Sequence, residues 1–140
     1  MTFTASDLAI LARTVFGEAR GQEFTGQVAV AWTVRNRAAR PDRFGKTIAA
    51  VCLAPKQFSC WNRDDPTFVR MVTVESPDPA YVAALAAAGL VLTERMPDPT
   101  LGADHYFTVA APREGMPWPP AWSRAMKRTV TIGDHVFYKE

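Results

Sequence analysis

The sequence contains no long apolar segment. No stretch reaches the roughly 18 apolar residues of a membrane span, and residues 1–10 lack the basic and then apolar regions of a secretory signal. We therefore expect synthesis in the cytoplasm, with no stable membrane insertion. A large excess of either charge is missing too, because 16 basic and 14 acidic residues give a net charge of +2. This charge is too small for a nucleic-acid-binding surface, so we expect no nucleic-acid partner.

Residues that bind metals are scarce. The two histidines, His105 and His135, occur without an HExxH or CxxC motif. Asp104 would have to complete a zinc site with them, whereas catalytic zinc normally takes three well-spaced ligands. Local hydrogen bonds of histidines in strands are the simpler interpretation. The G-x-S-x-G motif of serine hydrolases and a glycine-rich phosphate loop are also absent. We expect no metal and no other cofactor.

Cysteine is equally rare, and its position raises one hypothesis. In the segment QFSCWN (residues 57–62), the Ser-Cys-Trp order is similar to the segment around the nucleophile of papain-like proteases. That nucleophile needs a lowered thiol pKa, and its histidine follows about 130–150 residues later. His105 follows Cys60 by only 45 residues, so we expect Cys60 to be a packing residue. Cys52 and Cys60 are either two half-buried thiols or, in an oxidising compartment, a disulfide.

Helical periodicity dominates the first two thirds of the chain. The predicted helices cover about Ser6–Ala19, Thr25–Ala39, Lys46–Leu53, a segment that starts at the N-cap Asp65, and Pro77–Leu92. A capping box from Thr4 to Asp7 marks the first helix start. Gly21 and Pro41 end the first two helices.

The pattern changes after Pro97. Residues 105–109 alternate between polar and apolar character, and the segments 129–132 and 135–138 flank the two-residue turn Gly133-Asp134, which predicts a β-hairpin. The fold class is therefore α+β, with a helical body, a small antiparallel sheet and proline-rich loops. Without a repeat or linker, residues 1–140 are expected to form one domain.

Glu18 is the carboxylate most suggestive of catalysis. It lies at the end of the first predicted helix, in the segment FGEARG (residues 16–21). The helix dipole and the neighbouring apolar Phe16 should raise its pKa, whereas Arg20 would lower it. A glutamate protonated near neutral pH can act as the general acid in glycosidic cleavage. The alternative is a solvated surface carboxylate.

Aromatic residues cluster in the predicted loops. Trp61, Trp118 and Trp122 fall in loops, and Tyr106 and Phe107 lie in the neighbouring strand. Flat apolar faces of this kind stack on sugar rings, although they can equally cover a small core.

Six segments, taken in order, resemble one family. They are LARTVFGEARG (11–21), GQVAVAWTVRNR (26–37), QFSCWN (57–62), LGADHYF (101–107), PPAWS (119–123) and IGDHVFY (132–138). Together they resemble the catalytic domain of the SleB-type spore-cortex-lytic enzymes and related bacterial and phage cell wall hydrolases. The resemblance covers nearly the whole chain.

This resemblance implies a lysozyme-like fold, related to lytic transglycosylases, that acts on the bond between N-acetylmuramic acid and N-acetylglucosamine in peptidoglycan glycan strands. Glu18 corresponds to the acid of the family's GEARGE motif. It would protonate the glycosidic oxygen and then take the proton of the muramic acid 6-hydroxyl, leaving a 1,6-anhydromuramic end. A second catalytic carboxylate is then not required.

The resemblance also implies a glycan-binding groove. The residues expected to line it are Gln57, Phe58, Ser59, Trp61, His105, Tyr106 and Trp118. The sequence departs from the motif at Gln22, where the family often has a second glutamate, and supplies Glu23 one position later.

Alternative functions remain at this stage. A hydrolytic muramidase or glucosaminidase would use water in place of the 6-hydroxyl, and a non-catalytic module would only bind peptidoglycan. For the enzyme we expect a monomer that acts on the cell wall after release from the cytoplasm. An endolysin of a phage or prophage, released with the help of a holin, fits this expectation.

Overall fold

A computed structural model describes residues 1–110 and 117–140, so part of the predicted proline-rich loop lies outside the described residues. The helices are α1 (Ala5–Ala19), α2 (Phe24–Ala38), α3 (Pro41–Phe44), α4 (Ile48–Leu53), α5 (Phe68–Thr73) and α6 (Pro79–Leu92), with 3-10 turns at Ser59–Trp61 and Ala121–Ala125. The strands are β1 (His105–Thr108), β2 (Lys127–Ile132) and β3 (His135–Lys139). This arrangement confirms the predicted α+β class.

Helix α1 begins at the predicted capping box. The Thr4 hydroxyl accepts a hydrogen bond from the Asp7 backbone N–H at 3.0 Å, and the Asp7 carboxylate accepts one from the Thr4 backbone N–H at 2.9 Å. The other Asp7 oxygen accepts from the Ala49 N–H at 3.0 Å, which fixes α4 beside the start of α1. Two N–H groups at the helix start are thereby satisfied.

Helix α1 is the centre of the helical body and packs against α2, α4, α5 and α6. Its inward face carries Leu11, Val15 and Phe16, which have no exposed surface. Helix α6 presents the fully buried Ala84, Ala87 and Ala88. Small side chains on α6 allow a close approach to α1, so the body holds the C-terminal end of α1 in a fixed position.

Some helix boundaries differ from the sequence prediction, and α6 begins at Pro79 after the N-cap Asp78, not at Pro77. Asp65 is not the N-cap of α5, because its carboxylate accepts the Thr67 N–H at 2.8 Å and thereby closes a turn before the helix begins at Phe68. Pro41 does more than end α2, since it occupies the first position of the short helix α3. A proline suits that position because its missing N–H would have had no helical partner.

The three strands form an antiparallel sheet in the order β1-β3-β2. The predicted hairpin joins β2 to β3 through Gly133, whose φ of +56° suits glycine. Strand β1 pairs with β3 so that Tyr106 lies opposite Phe137. This register places Tyr106 against the helical body. Within residues 1–110 and 117–140, no helix is both long and apolar enough to cross a membrane.

Candidate active site

Glu18 lies in a groove of about 290 Å³ between the helical body and the sheet. One wall comes from α2 and the segment before the Ser59–Trp61 turn, and it contains Arg37, Lys56, Gln57, Phe58 and Ser59. The other wall comes from the sheet side and contains Tyr106, Phe107, Thr108, Trp118 and His135. The structure therefore brings Gln57, Phe58, Ser59, Tyr106 and Trp118 into one groove with Glu18.

A larger cavity, about 410 Å³, lies between the N-terminal residues and the start of α4, and Glu18 is not among the residues that line it. Its carboxylate, Asp7, already accepts backbone N–H groups from Thr4 and Ala49. A carboxylate committed to the backbone has a structural role, so the smaller groove around Glu18 is the candidate active site.

Gly17 explains how the Ser59–Trp61 turn reaches Glu18. A Cβ atom on Gly17 would lie 2.6 Å from the Cys60 Cβ and 2.8 Å from its Sγ, so only glycine allows this approach. The Trp61 indole N–H also donates to the Thr14 hydroxyl at 2.9 Å. These two contacts hold the turn against α1, which places Ser59 and Phe58 beside Glu18.

The environment of Glu18 suits an acid that is protonated near neutral pH. Burial is the main cause that raises the pKa of this carboxyl, and the negative charge of Asp65 raises it further, to about 7. The nearby Tyr106 hydroxyl and the positive charge of Arg37 act in the opposite direction. The predicted rise of the Glu18 pKa is confirmed, and its dominant cause is desolvation.

Arg37 organises the helical wall of the groove. Its Nε donates to the Asp104 backbone carbonyl at 2.7 Å, and its Nη1 donates to the Gln57 side-chain carbonyl at 3.2 Å. The guanidinium also lies over the Phe58 ring, 5.0 Å from its centroid. Because the Gln57 oxygen is engaged by Arg37, the exposed Gln57 amide presents its two N–H donors to a ligand.

Tyr106 organises the sheet wall. Its ring packs against Phe137 and His135, with centroid distances of 5.5 and 4.8 Å. Burial raises the pKa of the Tyr106 hydroxyl well above its usual value, and the nearby Glu18 charge adds to this effect. The hydroxyl therefore keeps its proton and is available as a hydrogen-bond donor in the groove.

Aromatic rings form the outer part of the sheet wall. Phe107 and Trp118 meet edge to face with centroids 4.9 Å apart. The Trp118 indole N–H donates to the Val109 carbonyl at 3.2 Å, which fixes the orientation of its ring. Both residues line the groove, so a partly exposed apolar surface is available to a sugar ring.

Two residues of the predicted groove lie elsewhere. Trp61 packs against the core of the helical body and donates its N–H to Thr14. The His105 Nδ1 lies 2.9 Å from an Asp104 carboxylate oxygen, and its ring packs against Trp122 with centroids 5.1 Å apart. Neither is among the residues that line the groove, so substrate contact by Trp61 or His105 stays a prediction.

Arg37 and His135 are groove residues that the sequence analysis missed. Arg37 lies on a helix that buries several polar residues besides apolar ones, including Arg35, so an arginine on this helix does not by itself indicate a groove position. His135 directly follows the hairpin turn, and nothing in its local pattern distinguishes a groove position from an ordinary strand position.

Cys52 and Cys60 are both buried and free, so no disulfide joins them. Burial raises the pKa of Cys52 to about 12. Burial also raises the pKa of the Cys60 thiol, as do the charges of Glu18 and Asp65. A thiol that holds its proton is a poor nucleophile, which confirms Cys60 as a packing residue. Within the described part of the chain, no cluster of three or more His, Cys, Asp and Glu could hold a metal ion.

Comparisons with known proteins point in one direction. Residues 21–138 match the family described as Cell Wall Hydrolase, and this match begins three residues after Glu18. The spore cortex-lytic enzyme of Halalkalibacterium halodurans is 30% identical over 135 residues, which make up 96% of this chain and 35% of that protein. The corresponding enzyme of Oceanobacillus iheyensis is 30% identical over 137 residues, 98% of this chain and 43% of that protein. The chain thus spans well under half the length of these relatives.

Two solved structures share the fold. The catalytic domain of the Bacillus cereus SleB protein superposes with a TM-score of 0.70 at 27% identity, over 99% of this chain and 93% of that one. The catalytic domain of the germination-specific lytic transglycosylase SleB from Bacillus anthracis gives a TM-score of 0.69 at 27% identity, over 98% and 97%. With the match over residues 21–138, these similarities confirm the resemblance seen in the sequence: the chain belongs to the cell wall hydrolase family.

Proposed function

We propose that this protein is a lytic transglycosylase that cleaves the bond between N-acetylmuramic acid and N-acetylglucosamine in peptidoglycan, with Glu18 as its acid and base. The observation that carries the proposal is the position of Glu18 in an open groove with a pKa of about 7. A carboxyl with this pKa is available in both protonation states near neutral pH, as a group that first gives and then takes a proton requires.

The reaction begins with protonated Glu18. Its proton passes to the glycosidic oxygen while the bond between this oxygen and C1 of the muramic acid breaks, which releases the N-acetylglucosamine hydroxyl. The Glu18 carboxylate that remains is stabilised by the Tyr106 hydroxyl and the Arg37 charge. It then takes the proton of the muramic acid 6-hydroxyl as that oxygen bonds to C1. The product is the 1,6-anhydro sugar, and Glu18 is protonated again.

The walls of the groove provide complementary contacts to a glycan. On the helical side, the Gln57 amide can donate to hydroxyl or N-acetyl oxygens, since Arg37 already holds its carbonyl. On the sheet side, Phe107 and Trp118 offer apolar ring surface to a pyranose. Polar groups on one wall and aromatic groups on the other are the usual composition of a binding groove for a polar, partly apolar ligand.

The test compares the wild type with Glu18→Gln on purified sacculi, with the soluble products measured by mass spectrometry. We expect anhydromuropeptides from the wild type and none from the variant. Glu75→Gln, which alters an exposed carboxylate away from the groove, is the matched control and should release the same products as the wild type. Equal release by the wild type and Glu18→Gln would exclude Glu18 as the acid.

A hydrolytic muramidase is the second candidate, and the effect of Asp65 on Glu18 favours it. A hydrolytic enzyme with two carboxylates could use the second one to activate water. Its products would have reducing ends, which are heavier than anhydro ends by one water. Reducing-end products that disappear in Asp65→Asn would support this candidate over the transglycosylase.

The setting of the reaction is part of the same proposal. We expect the enzyme to act as a monomer on the cell wall after release, in the manner of an endolysin that depends on a holin. Coexpression with a pore-forming holin should lyse the host, whereas either protein alone, or the holin with Glu18→Gln, should not. Lysis by the enzyme alone would contradict holin dependence.

A further inference from the structure

His135 shares the groove with Glu18 and has no part in the chemistry described above. It lines the sheet wall, although only 2% of its surface is exposed. Its ring packs against Tyr106, which lines the same groove as Glu18. Burial lowers the pKa of this imidazole, against the opposing effect of Asp134, so the ring is neutral near pH 7.

The two ring nitrogens have different surroundings. Nδ1 is fully enclosed and has no hydrogen-bond partner among the described residues. Nε2 also has no hydrogen-bond partner among those residues, but it is not fully enclosed. It is therefore the nitrogen that faces the groove that His135 lines. A buried N–H without an acceptor is rarer than a buried acceptor without a donor. The proton of the neutral ring therefore belongs on Nε2.

We propose that His135 is a substrate-binding residue whose Nε2–H donates a hydrogen bond to the carbonyl oxygen of an N-acetyl group of the glycan. The N-acetyl group suits this place because its carbonyl needs a donor, while its methyl group can contact the aromatic rings of Tyr106 and Phe107. The choice of an N-acetylated sugar as ligand rests on the proposed function. His135 would then make the groove selective for N-acetylated over de-N-acetylated sugars.

Nuclear magnetic resonance tests this contact directly, because the chain has only two histidines. The ¹⁵N signals of both rings are followed in untagged Glu18→Gln protein during titration with N,N′,N″,N‴-tetraacetylchitotetraose. We expect Nε2 of His135 to carry the proton and its signal to move on binding. His105, whose ring is hydrogen-bonded to Asp104, is followed separately, because a shift of its signal would report the substrate contact that the sequence predicts for it. The de-N-acetylated tetramer should leave the His135 signal unchanged.

Three results would overturn the proposal. The first is binding of the N-acetylated tetramer, detected at the Gln57 side-chain amide, with an unchanged His135 signal. The second is a proton on Nδ1 in the bound state. The third is an absence of any shift in the groove at millimolar tetramer.

Kinetics on sacculi provide a second measurement. His135→Phe keeps an aromatic ring and removes both nitrogens, and it should raise KM about tenfold with little change in kcat. His135→Gln restores an N–H donor and should recover part of the loss, which a purely structural role of the ring would not produce. An unchanged KM in His135→Phe would contradict the proposal. Failure of the wild type to release muropeptides would contradict the proposed function instead, while the titration would still report on His135.

Discussion

Gly17 and Cys60 are in contact so close that a methyl group on Gly17 would lie 2.6 Å from the Cys60 Cβ. The contact joins the helix that carries Glu18 to the turn that carries one wall of the groove. Met71 lies on the same side, 3.3 Å from the position of that methyl group. A side chain on Gly17 would therefore meet both Cys60 and Met71.

We expect Gly17→Ala to destabilise the protein by about 1–3 kcal/mol, the usual cost of overpacking. Because the turn must move away from α1, the activity on sacculi should fall as well. The free energy of unfolding in urea and the rate of muropeptide release measure the two effects.

Gly89→Ala is the matched control, since its methyl group would meet no atom within 4 Å. In the last turn of α6 it should stabilise the protein by about 0.5–1 kcal/mol, because alanine favours a helix more than glycine does. Equal stability of the two variants would contradict the role of Gly17.

The Glu18 side chain should lower the free energy of unfolding at alkaline pH. The folded protein holds the Glu18 proton up to a pKa of about 7, whereas the unfolded chain loses it near 4.5. Stability due to this group is thus fully present below pH 4.5 and is lost as the pH rises through 7. We expect Glu18→Gln to be more stable than the wild type at pH 8.5, by on the order of 3 kcal/mol from 1.36 kcal/mol per pKa unit.

The control for this prediction is the pH dependence itself. Urea unfolding at pH 4 should give nearly equal stabilities for the wild type and Glu18→Gln, because both side chains are then neutral. The exposed Glu75→Gln variant should differ from the wild type by no more than about 0.5 kcal/mol. A Glu18→Gln variant that is less stable than the wild type at pH 8.5 would show that the carboxylate is not destabilised by the fold.

Asp65 and Tyr106 should shift the pH profile in opposite directions. The charge of Asp65 raises the pKa of Glu18, and the Tyr106 hydroxyl lowers it. The alkaline limb of kcat/KM reports the loss of the Glu18 proton. We expect this limb to move to lower pH in Asp65→Asn and to higher pH in Tyr106→Phe. The measurement is the rate of muropeptide release between pH 5 and 9. A shift of the alkaline limb in the same direction in both variants would contradict the opposite effects of Asp65 and Tyr106 on Glu18.

Gln22 stands where the family often has glutamate, and its partner explains the difference. The Gln22 amide donates to the Asp134 carboxylate at 2.9 Å, and its oxygen accepts the Asp134 backbone N–H at 3.1 Å. Gln22→Glu would place two carboxylates together and should cost about 0.5–1 kcal/mol, more at low salt. Adding Asp134→Asn should restore the lost stability, as measured by a double-mutant cycle. Additive effects of the two substitutions would exclude this coupling.

Much of the fold followed from local patterns. The capping box at Thr4, the hairpin at Gly133 and the α+β class were all predicted correctly because each depends on residues that are neighbours in sequence. The N-cap at Asp65 was wrong for a related reason. An aspartate before a proline can close a turn or cap a helix. Which of the two it does depends on where the helix begins, and α5 begins only after the turn that Asp65 closes.

The site was less accessible to sequence reasoning. Glu18 was found because helix position and apolar neighbours act locally on its pKa. Arg37 and His135 were not found, because their roles depend on groups 20 or more residues away, such as Gln57 and Tyr106. The positions of Trp61 and His105 depend on the same long-range packing, through Thr14 and Trp122. Long-range contacts of this kind do not produce a periodic pattern in the sequence.

The groove draws its walls from distant parts of the chain, since Glu18 comes early and Tyr106, Trp118 and His135 come late. Without the sheet, the helical body would leave Glu18 open to water on the side that Tyr106, Trp118 and His135 now line, so its pKa would lie closer to the ordinary carboxylate value. Its proton affinity is thus a product of tertiary assembly. We therefore expect a chain cut before the hairpin to lack the proton affinity that the proposed role of Glu18 as an acid requires.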